Sequence, residues 1–159
     1  MKQSTAKARL PPRWFVRTFW FAHRRVVKWT RARIGLWRPK NPDSWGAARL
    51  TTTGRRTGAQ RSVMIGYFED GPNVVTMAMN GWSPGEPAWW LNLQAHPIAT
   101  LQRKGAPPEA VTAHAATGEE RDRLWARWCE IDKKLDAYAA RRPAGTAVVV
   151  FEPSEPNPT

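Results

Sequence analysis

The chain has 159 residues, 42% of them apolar, with one cysteine (Cys129) and three histidines (His23, His96, His114) that share no metal-ligand spacing. That is enough apolar content for one domain with its own core; a single thiol excludes an internal disulfide, and the scattered imidazoles predict no metal. The net charge of +12 is held unevenly: residues 1–45 carry twelve Lys or Arg against the single acid Asp43, a balance of +11, and residues 46–159 balance at +1. The expected organisation is a basic appendage (1–45), a near-neutral domain (46–153) and a short flexible tail (154–159).

Residues 1–11 are polar, basic and aperiodic, as in a mobile tail. From Pro12 through residue 37 the pattern turns helical: Phe15, Phe19, Ala22 and Val26 share one face, and Arg17, Arg24 and Arg31 recur on the opposite one. Trp14, Trp20, Phe21 and Trp29 lie toward the charged border. Such a basic amphipathic helix can pack on its own domain, lie in an anionic membrane interface with guanidiniums at the headgroups, or bind nucleic acid, the last being the weakest fit. Charges interrupt it too often for a membrane span or for the uncharged centre of a secretory leader.

Two prolines mark residues 38–46 as a linker expected to wrap onto the body. Strands are predicted at 47–53, 62–69 and 74–79, with Glu69-Asp70-Gly71-Pro72-Asn73 as a tight hairpin between the last two. A short helix opens at Ala88 behind Pro87 and ends before Pro97, and strands follow at 98–103 and 110–116. Thr117-Gly118-Glu119-Glu120 has the form of a capping box, starting a helix to about residue 140 with Leu124, Trp128, Ile131 and Leu135 as its buried stripe and Trp125 beside them. The β-branched run 146–151 is the last strand. Six short strands with two inserted helices predict an α+β fold, and closure into a barrel removes the edges of so many antiparallel strands.

The stretch 50–97 holds the chemistry. Its loop Gly54-Arg55-Arg56-Thr57-Gly58, with Arg61 just beyond, joins two β-runs and presents three guanidiniums, whose forks match phosphate and carboxylate. Glycine at both sides predicts inward-turned amides, an added anion nest. A solvated basic turn is the plainer reading of that loop alone. Neither GxxxxGK[ST] nor GxGxxG occurs, which removes the nucleotide loops with known signatures.

Thr51-Thr52-Thr53-Gly54-Arg55-Arg56-Thr57-Gly58, Gly81 and Pro84, Pro87-Ala88-Trp89-Trp90-Leu91-Asn92-Leu93-Gln94-Ala95-His96-Pro97, Thr117-Gly118-Glu119-Glu120-Arg121 and Val148-Val149-Val150-Phe151-Glu152-Pro153 together resemble the deazaflavin-dependent nitroreductase and quinone reductase family. The resemblance covers about residues 46–153 in order and spacing. It implies a split β-barrel of about six mainly antiparallel strands with two inserted helices, shared with the flavin-binding pyridoxamine phosphate oxidases. It also implies an oxidoreductase that passes hydride from reduced coenzyme F-420 to a lipophilic acceptor such as a quinone, enone or nitroaromatic. By that resemblance the phosphodiester and polyglutamate end of the coenzyme meets Arg55, Arg56, Thr57, Gly58 and Arg61. Met77, Ala78, Met79, Asn80 and Trp89 lie along the deazaflavin ring, and Tyr138 is the candidate to close the pocket and assist protonation.

The chain also departs from the family pattern. Met79 stands where many members have serine, Trp82 where they have a second glycine, and Gly85 where many have lysine, so the resemblance implies fewer anionic contacts and a reshaped acceptor pocket. FMN is the alternative cofactor. A FMN- or haem-binding barrel, or a non-catalytic cofactor- or nucleic-acid-binding protein, is the alternative function. The expected setting is cytoplasmic, peripheral at the inner face of the cell membrane through residues 12–37, with monomer and homodimer both open.

Overall fold

The computed structural model describes residues 35–81 and 83–154. The expected basic helix lies outside the described residues up to position 34, as do Trp82 and residues 155–159. The last positions expected to be helical are not. Gly35 takes φ 100, and Trp37 forms a two-way backbone bridge with Ala47 at 3.2 and 2.8 Å. A residue at that φ stops a right-handed helix, and glycine reaches it without strain. The Trp37 indole donates to the Trp45 carbonyl at 3.1 Å and Arg38 Nε to the Lys104 carbonyl at 2.9 Å, so the linker does wrap onto the body.

Six strands, β1 (Gly46–Thr53), β2 (Gln60–Asp70), β3 (Asn73–Met77), β4 (Ile98–Gln102), β5 (Glu109–Ala115) and β6 (Val148–Pro153), close into one barrel in the order β1-β2-β3-β6-β5-β4. Every pairing is antiparallel, and Leu50 opposite Leu101 is part of the β1–β4 register that shuts the barrel. Between β2 and β3 the turn is Gly71-Pro72, with Gly71 at φ 60 and Asp70 paired to Asn73.

Alternation along the strands builds two cores. Ala48, Leu50, Ile65, Leu101, Val149 and Phe151 point into the barrel, joined there by Trp89, Trp90 and Leu93 of helix α1 (Ala88–Ala95). The opposite faces of β2, β3 and β6 carry Phe68, Val75, Met77, Val148 and Val150. They pack beneath Leu124 and Trp128 of helix α2 (Gly118–Ile131) and Leu135 of helix α3 (Leu135–Ala139). Phe68 meets Trp128 edge to face at 5.0 Å. Each fully buried leucine of this kind contributes about 1.5–3 kcal/mol. The β2–β3 hairpin is tied to α2 by Asp70, which accepts from Arg123 at 2.9 and 2.8 Å and from Arg127 at 3.3 Å; the Arg123 hydrogen bond holds the Asp70 carboxyl below its usual range.

Three helices, not two, occupy the described residues, because the expected long helix breaks at residues 132–134. Asp132 turns to φ −122, ψ 99 and its carboxylate accepts the Lys134 amide at 2.9 Å, a local side-chain bond that competes with the helix ladder. Trp125, expected in the core, is only half-buried, and its indole donates to Asp136 at 2.8 Å across that break. Nor does the capping box form. Thr117 occupies the N-cap position without a side-chain bond, and Glu120 reaches back to His114 Nε2 at 3.3 Å. Among the described residues no helix is long and apolar enough to cross a membrane.

Candidate functional site

The arginine loop leaves β1 at one mouth of the barrel and re-enters as β2. Its shape comes from its own backbone: Gly54 N donates to Ala59 O at 2.8 Å, and Thr57 N and Gly58 N donate to Gly54 O at 3.3 and 2.7 Å. Ala59 N is taken by Thr57 Oγ1 at 3.3 Å, and only Gly58, at φ 69, lies in the left-handed region. The amide nest expected from the two glycines therefore does not form. With Gly54, Thr57, Gly58 and Ala59 amides turned onto the loop itself, anion binding is left to the side chains.

The loop is moored by a residue of α1. Asn92 is 5% exposed; its Oδ1 accepts from the Arg55 amide at 3.1 Å and from Arg55 Nη1 at 3.5 Å, and its Nδ2 donates to Thr52 Oγ1 at 3.1 Å. Thr52, fully buried, passes the chain on to the Arg61 carbonyl at 3.4 Å. One buried amide thus connects helix, strand and loop, and sets where Arg55 and Arg61 begin. The sequence signals Asn92 only as a lone amide in the apolar run Trp89-Trp90-Leu91-Asn92-Leu93, with no motif that assigns it this role.

Arg55, Arg56 and Arg61 are exposed, and none of the three is ion-paired among the described residues. No acidic residue occurs between Gly46 and Phe68. This is an uncompensated cationic rim beside a barrel mouth closed by tryptophans, with Trp89 and Trp90 at 6.3 Å and 62°. Unpaired guanidiniums on a fixed loop suit a ligand with phosphate or carboxylate groups.

The expected ring-side residues divide between the two cores. Ala78 lies inside with Trp89, whereas Met77 is buried in the outer cluster and Met79 packs against it from a half-buried position. Strand alternation enforces this, so Met77 offers a ring no side chain. Asn80 is exposed just past the strand end, and Trp82 lies outside the described residues. Tyr138 is half-buried on α3, while Tyr67 is fully buried inside the barrel, where burial raises its pKa. A cleft of about 220 Å³ opens elsewhere, between the linker at Lys40 and Asn41 and Phe68, Glu69 and Arg127; it shares no residue with the arginine loop or α1.

The model of the F420H2-dependent quinone reductase family matches residues 22–153. The chain belongs to that family. Membership makes it an oxidoreductase with F420H2, the reduced form of coenzyme F-420, as its cofactor, as the sequence resemblance implied. An F420H2-dependent quinone reductase of Mycobacterium tuberculosis is 32% identical over 105 residues, which are 65% of this chain and 68% of that protein. The solved structure of the F420-H2-dependent reductase FDR-A superposes with a TM-score of 0.59 at 25% identity, over 74% of this chain and 100% of that one. A structure described as a domain-swapped dimer gives 0.63 at 24% identity over 89% and 100%, a likeness of fold. The fold is the split barrel that the resemblance implied, in agreement with the barrel expected from the strand order. The donor set at the barrel mouth fits its cofactor: the acid-free rim of Arg55, Arg56 and Arg61 is suited to a phosphodiester with a polyglutamate tail.

Proposed function

We propose that this protein reduces a lipophilic quinone with hydride from reduced coenzyme F-420. The observation that carries this reading is the cationic rim moored through Asn92 to the helix that closes the barrel, in a chain of this family. Arg55, Arg56 and Arg61 hold the anionic end of the coenzyme, with Thr57 and Gly58 shaping the loop that presents them. Ala78, the backbone at Met77 and Met79, Asn80 and the edge of Trp89 line its ring. When bound, the reduced coenzyme supplies the hydride. The chain contributes orientation, and the apolar barrel mouth behind Ala78 and Trp89 keeps water from one side of the reaction. Tyr138 closes the pocket from α3.

The test is anaerobic mixing of the protein with reduced coenzyme F-420 and a quinone, an enone or a nitroaromatic. Oxidation of the coenzyme, followed by its returning absorbance, is expected only when acceptor is present, and fastest with the quinone. Absence of acceptor-dependent oxidation by any of the three would remove the reading. A Tyr138→Phe variant run alongside loses rate if the hydroxyl assists protonation and keeps it if the ring alone closes the pocket.

The basic stretch 12–37 gives such a reductase a means of meeting membrane-dissolved quinones, and we propose that it binds the anionic inner face of the cell membrane. Vesicles containing anionic lipid should pellet the full chain more than a version starting at Asp43; equal pelleting would end that part of the proposal.

A further inference from the structure

Among the described residues Arg142 is the one charged residue that is buried, with 1% of its side chain exposed. Its guanidinium ties the connection between β3 and α1 to the approach to β6, far apart in sequence. Nη1 donates to the Ala78 carbonyl just past β3 and, at 3.0 Å, to Thr146 Oγ1 ahead of β6. Nη2 donates to the Gly85 carbonyl at 2.8 Å and lies 3.7 Å from Glu86 Oε1. Gly85 stands at φ 89, a conformation that sets the direction of its carbonyl and that a Cβ would strain. A buried guanidinium needs partners for its protons; here carbonyls near the two ends of the β3–α1 connection and the Thr146 hydroxyl serve Nη1 and Nη2, while Nε is buried without one.

That connection, residues 78–87, is the one the functional reading uses. Ala78 leads directly into Met79 and Asn80, and Glu86 leads through Pro87 into Trp89. Residues 78–87 contain no Lys or Arg, so the cation that orients this connection comes from outside it. We infer that Arg142, with Glu86 as its counter-charge, is the positioning residue that sets the backbone on the acceptor side of the ring. This rests on the proposed function, because only a bound ring gives that backbone an acceptor to position. Lysine is a poor substitute, since one ammonium cannot span the fork between the Ala78 and Gly85 carbonyls.

Arg142→Lys and Glu86→Gln test this, the second because it keeps shape and Arg142's hydrogen bonds and is the variant that leaves the core cation in place. In the protein without coenzyme, amide hydrogen exchange over residues 79–86 is expected to quicken roughly ten-fold in both variants, with β1 and α2 unchanged. In turnover, kcat with the quinone should fall roughly ten- to a hundred-fold in Arg142→Lys, while the coenzyme dissociation constant, set by the distant arginine loop, stays within about three-fold. Unchanged exchange over 79–86 in both variants would overturn the inference. So would quickened exchange with quinone kcat unaltered, or a loss shared equally between coenzyme affinity and kcat, which is what general loosening produces. Wild-type protein that takes no coenzyme F-420 would count against the functional reading, before any variant is made, and the inference would fall with it.

Discussion

Alanine at both Arg55 and Arg56 is expected to raise the dissociation constant for coenzyme F-420 roughly a hundred-fold, since two charge-assisted hydrogen bonds at about 1.5 kcal/mol each amount to about 3 kcal/mol. Stability should hardly change. Both guanidiniums are exposed, and the mooring of the loop to Asn92 runs through the Arg55 amide, which alanine retains. The loss should shrink as salt is added, because contacts at an exposed rim are screened. Fluorescence titrations at low and high salt read both effects. A change under about three-fold at low salt would mean that the anionic end of the coenzyme is held elsewhere.

Asn92→Ala should act in the opposite way, on the fold first and on the ligand through it. It strands the Arg55 amide and takes from the Thr52 hydroxyl the donor it now accepts from, both at 3.1 Å, leaving that hydroxyl only its long bond to the Arg61 carbonyl. Leaving buried polar groups without partners costs about 1–3 kcal/mol each, and roughly 2–3 kcal/mol in total is expected here because the Arg55 amide lies at the rim, where water can reach it. Urea unfolding measures the loss. If it came below about 0.5 kcal/mol, as for an ordinary surface change, Asn92 would not be the mooring.

What the sequence shows of this protein and what it hides divide along a physical line. Strands with alternating or continuous apolar runs appear within two residues of their expected bounds, because burial on one or both faces writes its period into the chain. Barrel closure follows from their number. Two misreadings are places where a side chain found a nearby partner that the pattern does not show. Asp132 breaks a well-patterned helix by bonding two residues on, and Glu120 leaves its cap for His114. Met77 and Ala78 are neighbours in sequence and sit in different cores, as the period of the expected strand 74–79 already required, although the strand itself ends at Met77. The arginine loop was legible as chemistry, since guanidiniums without acids are a compositional fact. Its backbone was not, because hydrogen bonds within a turn depend on geometry that glycine leaves open. Arg142 gave no sign at all: in Arg141-Arg142-Pro143 it reads as a surface pair, and only the closed barrel brings it to the carbonyls of Ala78 and Gly85.

The central claim is that the barrel mouth beside Arg55, Arg56 and Arg61 takes a deazaflavin coenzyme. Its most direct measurement is the titration of wild-type protein with coenzyme F-420 and, in parallel, with FMN, read by fluorescence. Saturable binding of coenzyme F-420, much tighter than that of FMN with its single short phosphate, is the predicted result. FMN binding as tightly or more tightly, or neither binding, would contradict it.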